Sequence, residues 1–204
     1  MLKNADVIVT ARLEFPAQTF GELIAYAKQN PLKVNVGHPG NGTLGHITSA
    51  LIQQFTGVQM SNIPYRGTMP LLTDLLAGQV DVAIDFMPTY LPLVAARKIR
   101  ALAVTTSRRS KQPPDVPTVQ EAGFTGFEAT AWYAMVAPTG TPREIVDKLN
   151  QATNDFLNSD KGKTVLEQSA LDPVGGSPED LKAFVSDELA KWKPIIQAAK
   201  IEME

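Results

Sequence analysis

Lys33-Val34-Asn35-Val36-Gly37-His38-Pro39-Gly40-Asn41-Gly42-Thr43-Leu44-Gly45-His46 is the stretch whose reading decides the fold. Lys33 to Val36 reads as a short strand. Gly37-His38-Pro39-Gly40-Asn41-Gly42 is a loop on turn chemistry alone. Thr43 is placed to cap a helix, and Ile47, Leu51 and Phe55 then recur at i, i+4 and i+8. The order is strand, glycine-rich loop, helix.

The same unit repeats outward from there. Upstream, Val7 to Thr10 reads as a strand, and Thr19-Phe20-Gly21-Glu22 is a capping-box pattern opening a helix that Asn30-Pro31 closes. Downstream, Val58 to Tyr65, Val80 to Phe86 and Ile99 to Val104 read as strands. Helices over Pro70 to Leu76 and from Pro88 to Arg97 lie between them, and a polar loop follows over 108–115. This alternation predicts a mainly parallel α/β sheet. The last third differs. Phe127 to Ala137 is a longer extended segment carrying Trp132 and Tyr133. Thr141-Pro142-Arg143-Glu144 is a second capping box, and Ile145, Leu149, Ala152 and Phe156 mark one face of its helix. Ser177-Pro178-Glu179-Asp180 opens a final helix. Leu181, Phe184, Val185, Leu189 and Trp192 are its expected buried stripe, and Pro194 is expected to kink or end it.

Bulk properties exclude several functions. A formal net charge of -2 leaves no electrostatic footprint for nucleic acid. The absence of cysteine removes disulfides and thiolate chemistry. No apolar run reaches the length of a membrane helix, and no signal peptide opens the chain. His38 and His46 do not have a zinc-ligand spacing, so no metal or cofactor is expected.

The chemistry centres on the glycine loop. Backbone N–H groups at a helix N-terminus carry positive partial charge, and glycines let an anion reach them. Gly40, Asn41, Gly42 and Thr43 thus read as an anion site or as a tight turn only. The loop lacks the patterns of a P-loop or a dinucleotide fingerprint. His46 reads as a ligand contact or as a buried histidine bonded to a carbonyl. Asp85 ends a strand, where ligands bind in open α/β sheets, or caps the next helix. Arg66 can clamp a carboxylate or remain a solvated surface residue. Asp81 reads as wet-face, and Trp132 and Tyr133 as packing residues. There is no nucleophile beside a base, so no enzyme is expected.

Several blocks together resemble a known family. They are Gly40-Asn41-Gly42-Thr43-Leu44-Gly45-His46, Ile63-Pro64-Tyr65-Arg66-Gly67, and the run from Leu72 to Asp81. Ile99 to Thr105, Asp115 to Gly123, and Ala137 to Pro142 complete the set. Their ordered set resembles the substrate receptors of tripartite tricarboxylate transporters, the Bug family. The resemblance implies a type II periplasmic-binding-protein-like α/β fold whose two lobes close on a small carboxylate. It implies one complete mainly parallel lobe over 11–130, and interlobe strands with the C-terminal part of the other lobe over 1–10 and 131–204. It places Gly40 to Thr43, His46, Arg66, Gly67, Asp85, Phe86 and Met87 at the ligand. It also implies periplasmic localisation and membrane transporter subunits as partners.

Family members normally carry a further N-terminal part, which this chain is expected to lack. A stripe of five apolar side chains left in water would forfeit on the order of 8–15 kcal/mol, so a homodimer or larger assembly is expected. Two other readings share the residues: the ligand-sensing domain of a LysR-type regulator, and a small-acid enzyme with His46 and Asp85 as acid and base.

Overall fold

In the computed structural model, which describes residues 2–110, 114–168, 171–199 and 201, one strand sets the sheet. This is β1 (Leu2–Arg12). The elements after it are α1 (Phe20–Gln29), β2 (Asn35–His38), α2 (Leu44–Thr56), β3 (Ser61–Pro64), α3 (Thr68–Leu76) and β4 (Val82–Phe86). Next come α4 (Met87–Ala95), β5 (Ile99–Val104), β6 (Thr130–Tyr133), α5 (Arg143–Asn158), α6 (Asp160–Gln168), β7 (Asp172–Pro173) and α7 (Pro178–Ala198). The strand order is β3-β2-β4-β1-β5. β2 is parallel to β3 and β4, whereas β1 runs antiparallel to β4 and β5. The sheet is mixed: β1 is the one member of this row that opposes the expected parallel set. Of the polar loop expected over 108–115, residues 111–113 lie outside the described residues.

The chain divides into two compact units, Asp6–Thr130 with Pro194–Glu204, and Met1–Ala5 with Ala131–Lys193. In the larger unit, local signals place the elements. Thr19 Oγ1 accepts from the Glu22 N–H (3.2 Å), and the Glu22 carboxylate reaches back to the Gln18 N–H (2.6 Å). Gly57 ends α2 in the left-handed conformation, φ 71, which glycine adopts without a Cβ clash. Ile8, Leu71, Leu75, Tyr90, Ile99 and Val104 form a continuous buried cluster between sheet and helices. Asp81 corrects its wet-face reading. It lies before β4, where its carboxylate accepts from Arg12 (2.9 and 3.0 Å) and from the Asn35 N–H (3.0 Å). The expected face of α2 is also shifted. Leu51 is buried with Thr48, Ser49 and Ile52, while Phe55 is exposed.

The smaller unit departs further from expectation. The Thr141 capping box does not form: Pro142 occupies the cap, and Thr141 Oγ1 donates to the Pro138 carbonyl (2.8 Å). The long extended segment becomes strand only at Thr130–Tyr133; Met135 and Val136 stay exposed. Ile145, Leu149 and Phe156 of α5 are exposed rather than buried. On α7, Leu181, Phe184, Val185 and Trp192 are half-buried, and Leu189 is 66% exposed. Trp132 meets Phe184 edge-on at 5.4 Å, whereas Tyr133 is exposed. Pro194 does not end α7, which runs on to Ala198. The Ser177 box does form: Ser177 Oγ accepts from the Asp180 N–H (3.1 Å), and the Asp180 carboxylate accepts from the Ser177 N–H (2.8 Å).

Candidate ligand site at the carboxyl edge

β2, β3 and β4 are parallel, so their carboxyl ends share one edge of the larger unit. Each strand hands over to a helix there: β2 to α2, β3 to α3 and β4 to α4. Three helix N-termini therefore share this edge, each with its positive partial charge. The loops between strand and helix are stitched together. The Gly67 N–H donates to the Pro39 carbonyl (3.1 Å), and the Tyr65 N–H to that of His38 (2.9 Å). Thr68, the first residue of α3, donates its hydroxyl to Asp85 at the end of β4 (2.7 Å).

The glycine loop is shaped by its own residues. Gly40 has φ 146 and Gly42 φ 72, values that a side chain would strain. Thr43 caps α2, its hydroxyl accepting from the His46 N–H (3.5 Å) and donating to the Gly40 carbonyl (2.7 Å). The Gly42 N–H points at His46 Nδ1 (3.3 Å), and the Thr43 N–H returns to Gly40 (3.3 Å). Among the described residues, no partner meets the N–H groups of Leu44 and Gly45 in the first turn of α2. A Cβ on Gly45 would lie 2.3 Å from the Ile84 carbonyl, so glycine there lets the start of α2 press against β4.

The structure thus brings Gly40, Asn41, Gly42, Thr43, His46, Gly67 and Asp85 to one edge, with Arg66 exposed on the adjoining loop. Two members have no open side chain. Met87 is fully buried in the core cluster, so it can offer a ligand only its backbone at the start of α4. Asp85 is 2% exposed, and its carboxylate accepts from Thr68, from Tyr90 (3.2 Å) and from the Phe86 N–H (2.7 Å). Burial pushes its pKa up, and those three hydrogen bonds oppose the shift. Asp85 does not cap α4, whose cap residue is Phe86 with no side-chain cap hydrogen bond; its carboxylate instead ties the end of β4 to the start of α3 through Thr68. Phe86 is more open, at 38% exposure.

Three residues escaped the sequence reading. Thr68 and Tyr90 hold Asp85, and only the folded sheet brings them to it. His38, weighed only as a zinc ligand, is buried and stacks on His46 with ring centroids 4.2 Å apart and planes 2° from parallel. Burial first, then the charge of His46, push the pKa of His38 down to about 4 against the opposing Gly40 carbonyl. Burial also lowers that of His46.

This α/β unit places a glycine loop and three helix N-termini at its carboxyl edge, the edge at which ligands bind in open α/β sheets. The Tripartite tricarboxylate transporter family receptor model matches residues 1–201, and the chain belongs to that family. It is 37% identical over 176 residues to the UPF0065 protein of the tcbD-tcbE intergenic region of Pseudomonas sp. strain P51, covering 86% of this chain but 52% of that relative. The chain therefore spans about half the length of that curated relative.

Solved structures agree. R. palustris Rpa4515 with adipate is 37% identical at TM-score 0.84, covering 98% of this chain and 67% of that one. The periplasmic binding protein BugD is 32% identical at TM-score 0.80, with coverages of 100% and 69%. MatC from Rhodopseudomonas palustris with bound malate is 31% identical at TM-score 0.75, with coverages of 96% and 67%. The α/β fold is that of these solute-binding proteins, and the chain carries part of it.

Proposed function

We propose that this chain is the ligand-binding part of a periplasmic receptor that captures a small carboxylate for a tripartite tricarboxylate-type transporter, and that it catalyses nothing. The observation that carries this reading is the set of three helix N-termini at one sheet edge. The Gly42 and Thr43 N–H groups of the glycine loop are already taken within the protein, so the first-turn N–H groups of α2 at Leu44 and Gly45 are the donors it leaves to an anion. Amide donors suit a carboxylate, and the exposed Arg66 adds a cation beside them. Asp85 is committed to three protein donors, which leaves it poorly placed to serve as a base. The ligands of two relatives, adipate and malate, point to dicarboxylates as the first class to try. In this reading the larger unit is the lobe that bears the ligand loop.

The test is a thermal-shift panel of mono-, di- and tricarboxylates. A ligand at about 100 times its Kd adds about 2.7 kcal/mol, so a true ligand raises Tm. No shift with any carboxylate, or turnover of one that is lost on Asp85→Asn, would sink the reading.

We further propose that a second copy of the chain covers the groove of the smaller unit. The groove, about 740 Å³, is lined in part by Met135, Val136, Leu149, Phe156 and Leu181. Its supports are the exposure of Met135 (63%) and Val136 (81%) and the apolar character of that wall. Sedimentation at micromolar concentration is expected to show a dimer; a 22.1 kDa monomer would contradict it.

A further inference from the structure

We propose that His38 is a positioning residue for the carboxylate site: by gripping the Gly40 carbonyl and stacking on His46, it holds His46 as the neutral tautomer whose Nε2–H is offered to the ligand. The proposal rests on the reading of that loop as a carboxylate site, but its first test needs no ligand.

His38 is wholly buried at the end of β2, and its Nδ1 lies 2.9 Å from the Gly40 carbonyl. A carbonyl accepts only, so Nδ1 carries the proton and Nε2 is left with a lone pair. That Nε2 is buried, with no hydrogen-bond partner among the described residues. A charged ring would put a second N–H there with nothing to receive it, so His38 is held neutral. Its ring lies flat on that of His46.

The other half of the arrangement follows from the Gly42 N–H. A backbone amide donates only, and it points at His46 Nδ1 (3.3 Å). Nδ1 must therefore be bare, and the proton of a neutral ring sits on Nε2. No described residue meets that Nε2 in the half-buried His46. A charged His46 would turn Nδ1 into a donor facing a donor, and its charge would lie 4.2 Å from the His38 ring. The loop between the two histidines is thus pinned twice, at Gly40 by His38 and at Gly42 by His46. The site then presents a neutral N–H donor beside amide donors. Such donors bind a carboxylate by hydrogen bonds rather than by an ion pair.

The experiment reads histidine ring nitrogens by NMR on the isotope-labelled chain at neutral pH. The wild type is expected to show His46 in the Nε2–H form alone. His38→Phe keeps a flat ring but not the donor, and is expected to show both tautomers. His38→Asn keeps an N–H for Gly40, and is expected to retain the Nε2–H form. Titration with malate and adipate follows. His38→Phe should weaken binding about tenfold, the worth of roughly one hydrogen bond, while His38→Asn recovers most of it.

A wild-type His46 carrying its proton on Nδ1 would overturn the proposal. So would a His38→Phe chain with an unchanged tautomer. If His38→Phe does not fold, a mixed tautomer in His38→Asn overturns it equally. Failure of malate and adipate to bind, with the tautomer as expected, counts against the carboxylate reading and leaves the role of His38 standing.

Discussion

The two units of this chain bury their apolar residues very differently. Among the described residues, Leu157 and Leu166 are the only apolar side chains buried in the smaller unit, while the rest of the buried apolar set belongs to the larger one. Yet the smaller unit has no shortage of apolar residues. Ile145, Leu149, Phe156, Val165 and Leu189 are all more than two-fifths exposed. The larger unit has a sheet with helices to close its core, so its stability is internal. The smaller unit has helices with apolar faces and little sheet to receive them, so these faces stay open to solvent. An amphipathic pattern shows that a face wants covering, and not what covers it.

Substitutions sharpen that contrast. Leu75→Ala, at a wholly buried position of the larger unit, should cost about 2–5 kcal/mol by chemical denaturation. Leu189→Ala, at 66% exposure in the smaller unit, should stay within about 0.5 kcal/mol. Leu189 lies outside the groove assigned to a second copy, so equal costs at the two positions would show that the cover extends to this face of α7.

Acid should act on the larger unit through its histidines. The pKa of His38 is lowered from 6.5 to about 4 in the fold, so between those values the unfolded chain binds the proton that the folded chain refuses. Stability is then level above pH 6.5 and falls as pH drops towards 4, by about 3 kcal/mol in all. The lowered pKa of His46 adds to the loss with the same sign. Urea denaturation across this range should show the slope, reduced in His38→Phe. A flat profile would contradict the buried neutral pair.

A smaller effect is expected at the cap. Thr43→Ala removes the side-chain bond to the His46 N–H and should cost about 1 kcal/mol. Smallest of all, Glu179→Gln breaks an exposed pair with Arg143 in the smaller unit and should leave the unfolding midpoint unchanged.

The same contrast explains what the sequence revealed. Ile99 to Val104 is a strand as read, and Thr19, Thr43 and Ser177 cap helices as read, because these signals act within a few residues. The direction of β1 was not legible: a strand's pattern tells which residues face a core, not which way its neighbours run. Thr141 misled because the chain enters the helix one residue later than the box needs: Pro142 keeps an extended ψ of 138 and is itself the cap. At the site, the glycine loop could be read because its backbone demands glycine. The hold of Thr68 and Tyr90 on Asp85, and of His38 on His46, is built across the sheet, and no local pattern encodes it.

The central claim is that the carboxyl edge of the larger unit takes a carboxylate on its backbone amides. Backbone amide NMR during titration with malate and adipate tests it most directly. The account predicts saturable shifts largest at Gly40 to His46, with smaller ones at Gly67, Thr68 and Met87. The absence of shifts with these acids and with every other acid of the thermal-shift panel, or shifts confined to the groove between Met135 and Leu181, would contradict it.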